Sequence, residues 1–405
     1  MSNMDKRVVI TGLGVVSSLG IGKDEFWKAL TAGVSGISKI SSFDTSEYPT
    51  HYGGEVKDFE PQAFLDKEKT GNIGRASQLA LASAKLALSD AGIKLDNPGL
   101  AEAGVVIGTT MGESQVLEKL NDAWVKKGIT AIDPALIPQY PCNVLSLNVA
   151  KELKLNGPNL VLPNACAAGN YAIGYACDLI RMGKARVMLA GGTDAFSRIA
   201  FIGFNRLLAV APEKCQPFDK NRKGMLVAEG SAMVLIETLE AALKRGAQIY
   251  AEILGYGLSC DAHHMTAPFS EGIKEAIEKA LKQSNVPPER IDYFSAHGTG
   301  TPANDREECR AIKKVFGDYS KKLPVSSIKS MLGHTMGAAS AIEAVACALS
   351  VKNDIIPPTI NFQTPDPECD IDCVPNVSRR VRVDIALNSA SAFGGNNACL
   401  VLKKL

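Results

Sequence analysis

The sequence predicts an α/β fold, and three features carry the prediction. Short β-branched runs bounded by glycine recur along the chain. Amphipathic helical patterns fall between them. The chain has 405 residues and is 46% hydrophobic, enough for two packed core units rather than one. Strands alternating with helices at this spacing point to a layered α/β protein.

In chain order, strands are expected at 7–10, 104–107, 160–162, 185–189, 233–236 and 251–254, then at 291–295, 325–327, 385–388 and 398–402. The first is read as a buried strand that stops at the glycine turn containing Gly12 and Gly14. Helices are expected at 75–91, 167–182, 271–284, 305–316 and 338–351. The pattern divides near 250–257 into comparable halves, 1–250 and 251–405, each with a small-residue helix behind a turn. No low-complexity linker separates them, so they should pack as one body.

The helix from 167 is unusual, because alanine or glycine stands at 167, 168, 169, 172, 174 and 176. Glycine inside a helix costs about 1 kcal/mol against alanine. Close contact on all sides with neighbouring sheets would offset that cost. Cys166 would then open a helix at the centre of the molecule.

Bulk properties exclude several functions. Lysine and arginine number 44 against 43 acidic residues, which argues against nucleic acid or an anionic membrane as the main partner. A local basic patch for an acidic protein or a phosphate stays open. Ten cysteines are scattered, mostly in apolar runs, as reduced thiols would be. The only close pair, Cys369 and Cys373, lacks the second pair a zinc knuckle needs, and no metal is expected. Lys6-Arg7 before Val8-Val9-Ile10 imitates a signal peptide, but Thr11, Gly12, Gly14, Ser17 and Ser18 interrupt the run. No apolar stretch of about 18 residues occurs, so no membrane span and a cytoplasmic location are expected. Gly12-Leu-Gly14 starts like a dinucleotide fingerprint but lacks its third glycine and acidic partner.

The chemistry centres on Cys166, which ends one strand-like run and opens a helix. Unpaired N–H groups at a helix N-terminus favour thiolate over thiol. Two of only five histidines, His297 and His334, stand in glycine-rich turns downstream. One such cysteine with distant histidines is a pattern of covalent catalysis. The bland alternative is a core thiol and two turn-filling imidazoles.

Four motifs then occur in order: Asn164-Ala-Cys166-Ala-Ala-Gly169, His297-Gly-Thr-Gly-Thr301-Pro-Ala-Asn-Asp305, Ser327-Ile-Lys329-Ser-Met-Leu-Gly-His334 and Ala392-Phe-Gly-Gly395-Asn-Asn. Together these resemble the β-ketoacyl-acyl-carrier-protein synthases, in the elongating branch with a Cys-His-His centre. The resemblance covers essentially the whole chain, including the opening Val-Val-Ile-Thr-Gly-Leu-Gly and Pro217-Phe-Asp219. It implies a thiolase-like, five-layered αβαβα fold with two related halves. It also implies a homodimer, or a heterodimer with a chain-length-factor homologue.

By resemblance, Cys166 accepts the acyl group from a carrier protein. His297 and His334 then stabilise the enolate left when malonyl-carrier protein loses its carboxylate. Lys329 orders the site electrostatically, Glu343 pairs with it, and Asp305 and Glu308 form an acidic network. Phe393 gates the acyl pocket, and its N–H joins that of Cys166 as an oxyanion hole, with Gly394 giving the backbone freedom. Common elongating members have Phe-Gly before the gate, whereas this chain has Ser391-Ala392. That departure predicts a restricted gate and extra room for an unusual acyl chain.

Met111 matches the floor of the acyl pocket, and Thr266, Thr299 and Thr301 match contacts to the phosphopantetheine arm. Lys126, Lys127 and Arg206 fall near the family's carrier-docking positions. The basic pair expected before Arg75 is Gly71-Asn72, leaving Lys67, Lys69 and Arg75 to serve. No cofactor is implied, because the carrier brings its own phosphopantetheine. The implied activity is an acyltransferase one, decarboxylative Claisen condensation in fatty-acid or pathway-specific polyketide or polyene synthesis. The alternatives are a non-catalytic chain-length-determining subunit and a thiolase-type acyltransferase.

Overall fold

Residues 6–405 are described in the computed structural model. Its principal strands are β1 (Val8–Ser17), β2 (Gly104–Gly108), β3 (Asn159–Leu162), β4 (Val187–Asp194), β5 (Gly230–Thr238), β6 (Ala251–Cys260), β7 (Tyr293–Ser295), β8 (Val325–Ser326), β9 (Ile385–Ser391) and β10 (Asn396–Lys403). They lie in the order β8-β7-β9-β10-β6-β1-β5-β4-β2-β3, and a short strand, Gly20–Ile21, pairs with the end of β1. The middle of this arrangement is an antiparallel seam in which Val8 faces Ile253 and Ile10 faces Ala251. Counted outward from the seam, both sets of five strands follow one order: first, fifth, fourth, second, third. The second half of the chain thus repeats the topology of the first.

Helices cover the strands in layers. Arg75–Asp90 packs outside β1 and β5, and Val144–Leu153 packs outside β2 and β3. Ser270–Ser284 covers β6 and β10, with Pro302–Phe316 against it. Between the two sets lie Ala168–Arg181 and Ala339–Asn353, which touch each other and strands of both halves. The result is the five-layered α/β/α/β/α architecture that the resemblance implied. Every residue from Ala339 to Val351 is buried. A helix surrounded by protein has no solvent face, so its sequence is apolar all round rather than striped.

All ten expected strands are present, but β1 runs on through its glycines to Ser17. Those glycines mark close packing, not a turn. A Cβ on Gly12 would sit 2.2 Å from the Ala87 carbonyl oxygen, and one on Gly14 would sit 1.8 Å from that of Ser83. Helix Arg75–Asp90 lies flat on the strand because both side chains are missing. Among the described residues, four further helices of nine residues or more, Lys23–Thr31, Ser114–Lys127, Val144–Leu153 and Arg198–Arg206, join those read from the sequence.

Candidate active site

Cys166 sits on a tight elbow between β3 and the central helix Ala168–Arg181. Ala165, just before it, is forced into the left-handed region at φ 49°, a conformation that costs alanine on the order of 1 kcal/mol. The other half repeats the device: Met336 has φ 53°, and a short 3₁₀ turn leads into helix Ala339–Asn353. Gly337 occupies the position that Cys166 holds in the first half. Small residues let the two elbows meet. A Cβ on Gly108 would lie 2.3 Å from the Ala168 carbonyl carbon, and one on Gly169 would lie 2.5 Å from the Ala341 nitrogen.

His297 follows β7, and buried carboxylates shape its loop. Glu308 accepts from the backbone N–H groups of His297 and Gly298, each at 2.7 Å. Asp305 accepts from those of Phe218 at 2.8 Å and Gly300 at 3.1 Å, with the Arg222 guanidinium at 3.7 Å. Burial pushes Glu308 up to about 7 and raises Asp305. These two residues support the histidine loop from behind and do not line the cavity.

His334 is oriented by its own chain. Its Nδ1 accepts the Met336 backbone N–H at 3.2 Å, so a neutral ring carries its proton on Nε2. The His297 and His334 rings meet edge to face with centroids 5.3 Å apart. Donor atoms of Cys166, His297 and His334 all lie within 4.8 Å of one another. Residues scattered over 169 positions therefore share one buried centre.

Its electrostatics follow from burial and one cation. Lys329 and Glu343 form a fully buried ion pair. Burial holds both imidazoles well below the usual histidine range, and the Lys329 charge pushes the same way. Both rings are therefore neutral at pH 7. Burial also pushes Glu343 up to about 7, against the pull of Lys329.

The expectation of a thiolate at Cys166 needs correction. Burial pushes the thiol up to about 12, although Lys329 and the N–H groups of Phe393 and Cys166 favour the anion. Removal of water outweighs the helix terminus, so the resting sulfur is protonated and needs a base.

A cavity of about 330 Å³ opens onto Cys166, His297, His334 and Phe393. Thr266, Thr299, Thr301, Ser391 and Ala392 also line it, as their motif positions implied. Phe393 is partly exposed, and its ring centroid lies 5.5 Å from that of Phe204. Gly394, at φ 83°, donates its N–H to the Met265 carbonyl at 2.8 Å and stays out of the lining. Ala392 is extended, with φ −135° and ψ 155°. Alanine is unstrained in this conformation, so the expected restriction of the gate does not arise from backbone strain here.

Met111 does not line this cavity. Its N–H is bound at 2.8 Å by Asp194, a residue the sequence did not single out. Asp194 also accepts from the Thr109 hydroxyl and the Thr110 N–H at 2.8 Å, and from the Gly337 N–H at 2.6 Å. One buried carboxylate, pushed up to about 6 by burial, thus ties the Thr109–Met111 loop to the opposite elbow. His264 was also missed. Its Nδ1 accepts from the Thr266 and Ala267 N–H groups at 3.1 Å, shaping the loop at the cavity mouth. Its signal was visible as the histidine pair before Met265 and Thr266.

The docking cations differ in availability. Arg75 is not free: it binds Glu229 at 2.7 and 2.8 Å and the Val56 carbonyl at 2.9 Å. Lys67, Lys127 and Arg206 are exposed, and Lys126 is exposed but paired with Asp122 at 3.1 Å. The side chain of Lys69 lies outside the described residues. Arg206 ends its helix directly before Leu207 and Leu208, which line the cavity mouth.

Comparison with known proteins matches this arrangement. Residues 5–242 fit the model of the β-ketoacyl synthase N-terminal domain, and residues 250–363 fit that of the C-terminal domain. The 3-oxoacyl-[acyl-carrier-protein] synthase 2 of Coxiella burnetii is 43% identical over 409 residues, 99% of each chain. The protein of the same name from Synechocystis sp. is 42% identical over 414 residues, 100% of each. Among solved structures, the ishigamide ketosynthase/chain length factor aligns with a TM-score of 0.96 at 46% identity, covering 99% of each chain. A type II polyketide-synthase acyl-carrier protein in complex with its ketosynthase bound to the hexaketide aligns at 0.91 and 33%, again covering 99% of each.

Proposed function

We propose a reaction from one premise: this chain belongs to the β-ketoacyl synthase family. It is a ketosynthase that joins an acyl thioester to malonyl-acyl-carrier protein by decarboxylative Claisen condensation. The observation that carries the reading is the meeting of the Cys166 sulfur with two neutral imidazoles at the end of one cavity.

In the first step the Cys166 sulfur attacks the carrier-bound acyl carbon. His297, whose Nδ1 is buried without a partner, takes the thiol proton and returns it to the departing carrier thiol. The N–H groups of Cys166 and Phe393 face the sulfur and meet the charge on the acyl oxygen. Malonyl-carrier protein then enters. Its bond to the carboxylate breaks, carbon dioxide leaves, and the electron pair moves onto the thioester oxygen. The Nε2–H of His334 donates to that oxygen. The enolate carbon bonds to the acyl carbon, and the Cys166 sulfur leaves as thiolate and takes a proton from solvent water, the one proton the condensation consumes.

Among the described residues, no lysine, arginine, aspartate or glutamate lines the cavity. A carboxylate that meets no cation there is not held against decarboxylation. Lys329 acts from behind the histidines by keeping them unprotonated. The placement of the Cys166 thiol beside two imidazoles also separates this reading from a non-catalytic chain-length subunit, which would have no use for it.

The halves 1–250 and 251–405 supply the nucleophile and the histidines respectively. The phosphopantetheine arm arrives on the carrier along Thr266, Thr299 and Thr301, and the chain requires no cofactor of its own. Arg206, Lys67, Lys126 and Lys127 receive the acidic carrier. Exposed Trp124, Val125 and Ile129 supply apolar surface for a second chain of the same fold, a copy or a chain-length-factor homologue. Ten free thiols suit the reducing cytoplasm. Among the described residues, no helix is long and apolar enough to cross a membrane. The likeness to the ishigamide enzyme and the Ser391-Ala392 departure favour a polyketide or polyene pathway over general fatty-acid elongation. Incubation with acyl- and malonyl-carrier proteins should give a β-ketoacyl product two carbons longer, with release of carbon dioxide. Folded protein that gives neither product nor carbon dioxide with any tested carrier refutes the reading.

A further inference from the structure

We propose that the Ser391 hydroxyl binds the carboxylate of the incoming malonyl unit and so sets selectivity for the extender; this rests on the ketosynthase reading. Ser391 lines the cavity, and its hydroxyl is buried without a hydrogen-bond partner. Buried polar groups are nearly always paired, so an orphan facing a substrate cavity marks a ligand contact.

Strand geometry fixes its direction. Ala390 and Ala392 pack with Ala167 on the elbow side of β9. Alternation sends Ser391 to the other face. There Leu387 packs with Cys309 of helix Pro302–Phe316, whose first turn places Asn304 in the cavity wall.

Chain position selects the part of the substrate. Ser391 stands two residues before Phe393, whose N–H faces the sulfur, and both line the same cavity. Chain proximity thus ties it to the reacting end rather than to the outer length of the arm. The thioester oxygen already has His334 and the backbone N–H groups. The malonyl carboxylate has no cation in the lining, and Ser391 is the remaining orphan hydroxyl there. A neutral donor suits the task, since it orients the carboxylate without the hold of an ion pair. The contact exists before carbon dioxide leaves and not after, so it strengthens binding without lowering the barrier.

The test compares Ser391→Ala and Ser391→Thr with the natural protein. Acylation of Cys166 is measured with acyl-carrier protein, and condensation with malonyl-carrier protein on preformed acyl-enzyme. Loss of one hydrogen bond to a charged group should raise the KM for malonyl-carrier roughly ten- to a hundredfold over that for acyl-carrier. The kcat should hold or rise, and threonine should restore the KM. An equal rise for both carriers would assign Ser391 to the shared arm and overturn the proposal, as would no change. If the natural protein forms no acyl-enzyme and no product, the ketosynthase reading itself has failed, and this inference with it.

Discussion

Replacing Gly169 by alanine sets two effects of opposite sign against each other. Helix propensity alone favours the alanine by up to about 1 kcal/mol. Packing opposes it. The new methyl would lie 2.5 Å from the Ala341 nitrogen and 2.8 Å from the Ala341 Cβ. Ordinary contact begins near 3.5 Å, so the two central helices must separate by about 1 Å. Overpacking of this kind costs about 1–3 kcal/mol. For a chain of this size that lowers Tm by about 1–4 °C, less any gain from propensity.

The larger effect is on rate. The displaced helices carry the Cys166 elbow and the elbow that follows His334. A misplacement near 1 Å costs about 100-fold in catalysis. Calorimetry and burst measurement of acyl-enzyme formation read the two effects separately. A Gly169→Ala protein with a raised Tm and normal acylation would show that propensity wins and that the two elbows need not touch.

Other perturbations have distinct signatures. Cys166→Ala should form no acyl-enzyme yet still release carbon dioxide from malonyl-carrier, as mass spectrometry and a bicarbonate-coupled assay would show. His334→Ala should lose about 100- to 1,000-fold in that decarboxylation, the usual cost of one oxyanion donor. Lys329→Met removes a cation that disfavours imidazole protonation, so both histidine pKa values rise. Activity lost as the pH falls should then be lost at a higher pH, shifting the acidic limb of the rate profile upward. Asp194→Asn offers one oxygen and an NH₂ group where four donors now converge. It should cost about 1–3 kcal/mol, seen as a fall in the denaturation midpoint.

The sequence made much of this legible because chemistry and punctuation coincided. Cys166, His297 and His334 each stand in a glycine- or alanine-rich turn, Lys329 opens a short helix five residues before His334, and the fold brings these segments together. Strand cores were readable from β-branched runs, but their ends were not. Gly12 and Gly14 look like a turn in one dimension, yet they permit a helix to lie on the strand. Asp194 carried no signal, since all its partners are backbone groups or a hydroxyl brought near by folding. Asp305 and Glu308 were legible as a network only through the resemblance, because i and i+3 spacing does not reveal which face is buried. Arg75 likewise resembled a surface cation until Glu229, 154 residues away, was placed against it. The reactive state of Cys166 was the subtlest point. Sequence shows a helix start that favours thiolate, whereas desolvation depends on everything packed around it.

Tryptic mass spectrometry after brief exposure to a labelled acyl-carrier protein would bear most directly on the whole scheme. The acyl label should appear on the peptide bearing residue 166 and on none of the other nine cysteines, and malonyl-carrier protein should chase it into product. A label that settles on a different thiol, or one that malonyl-carrier protein leaves in place, would contradict the account.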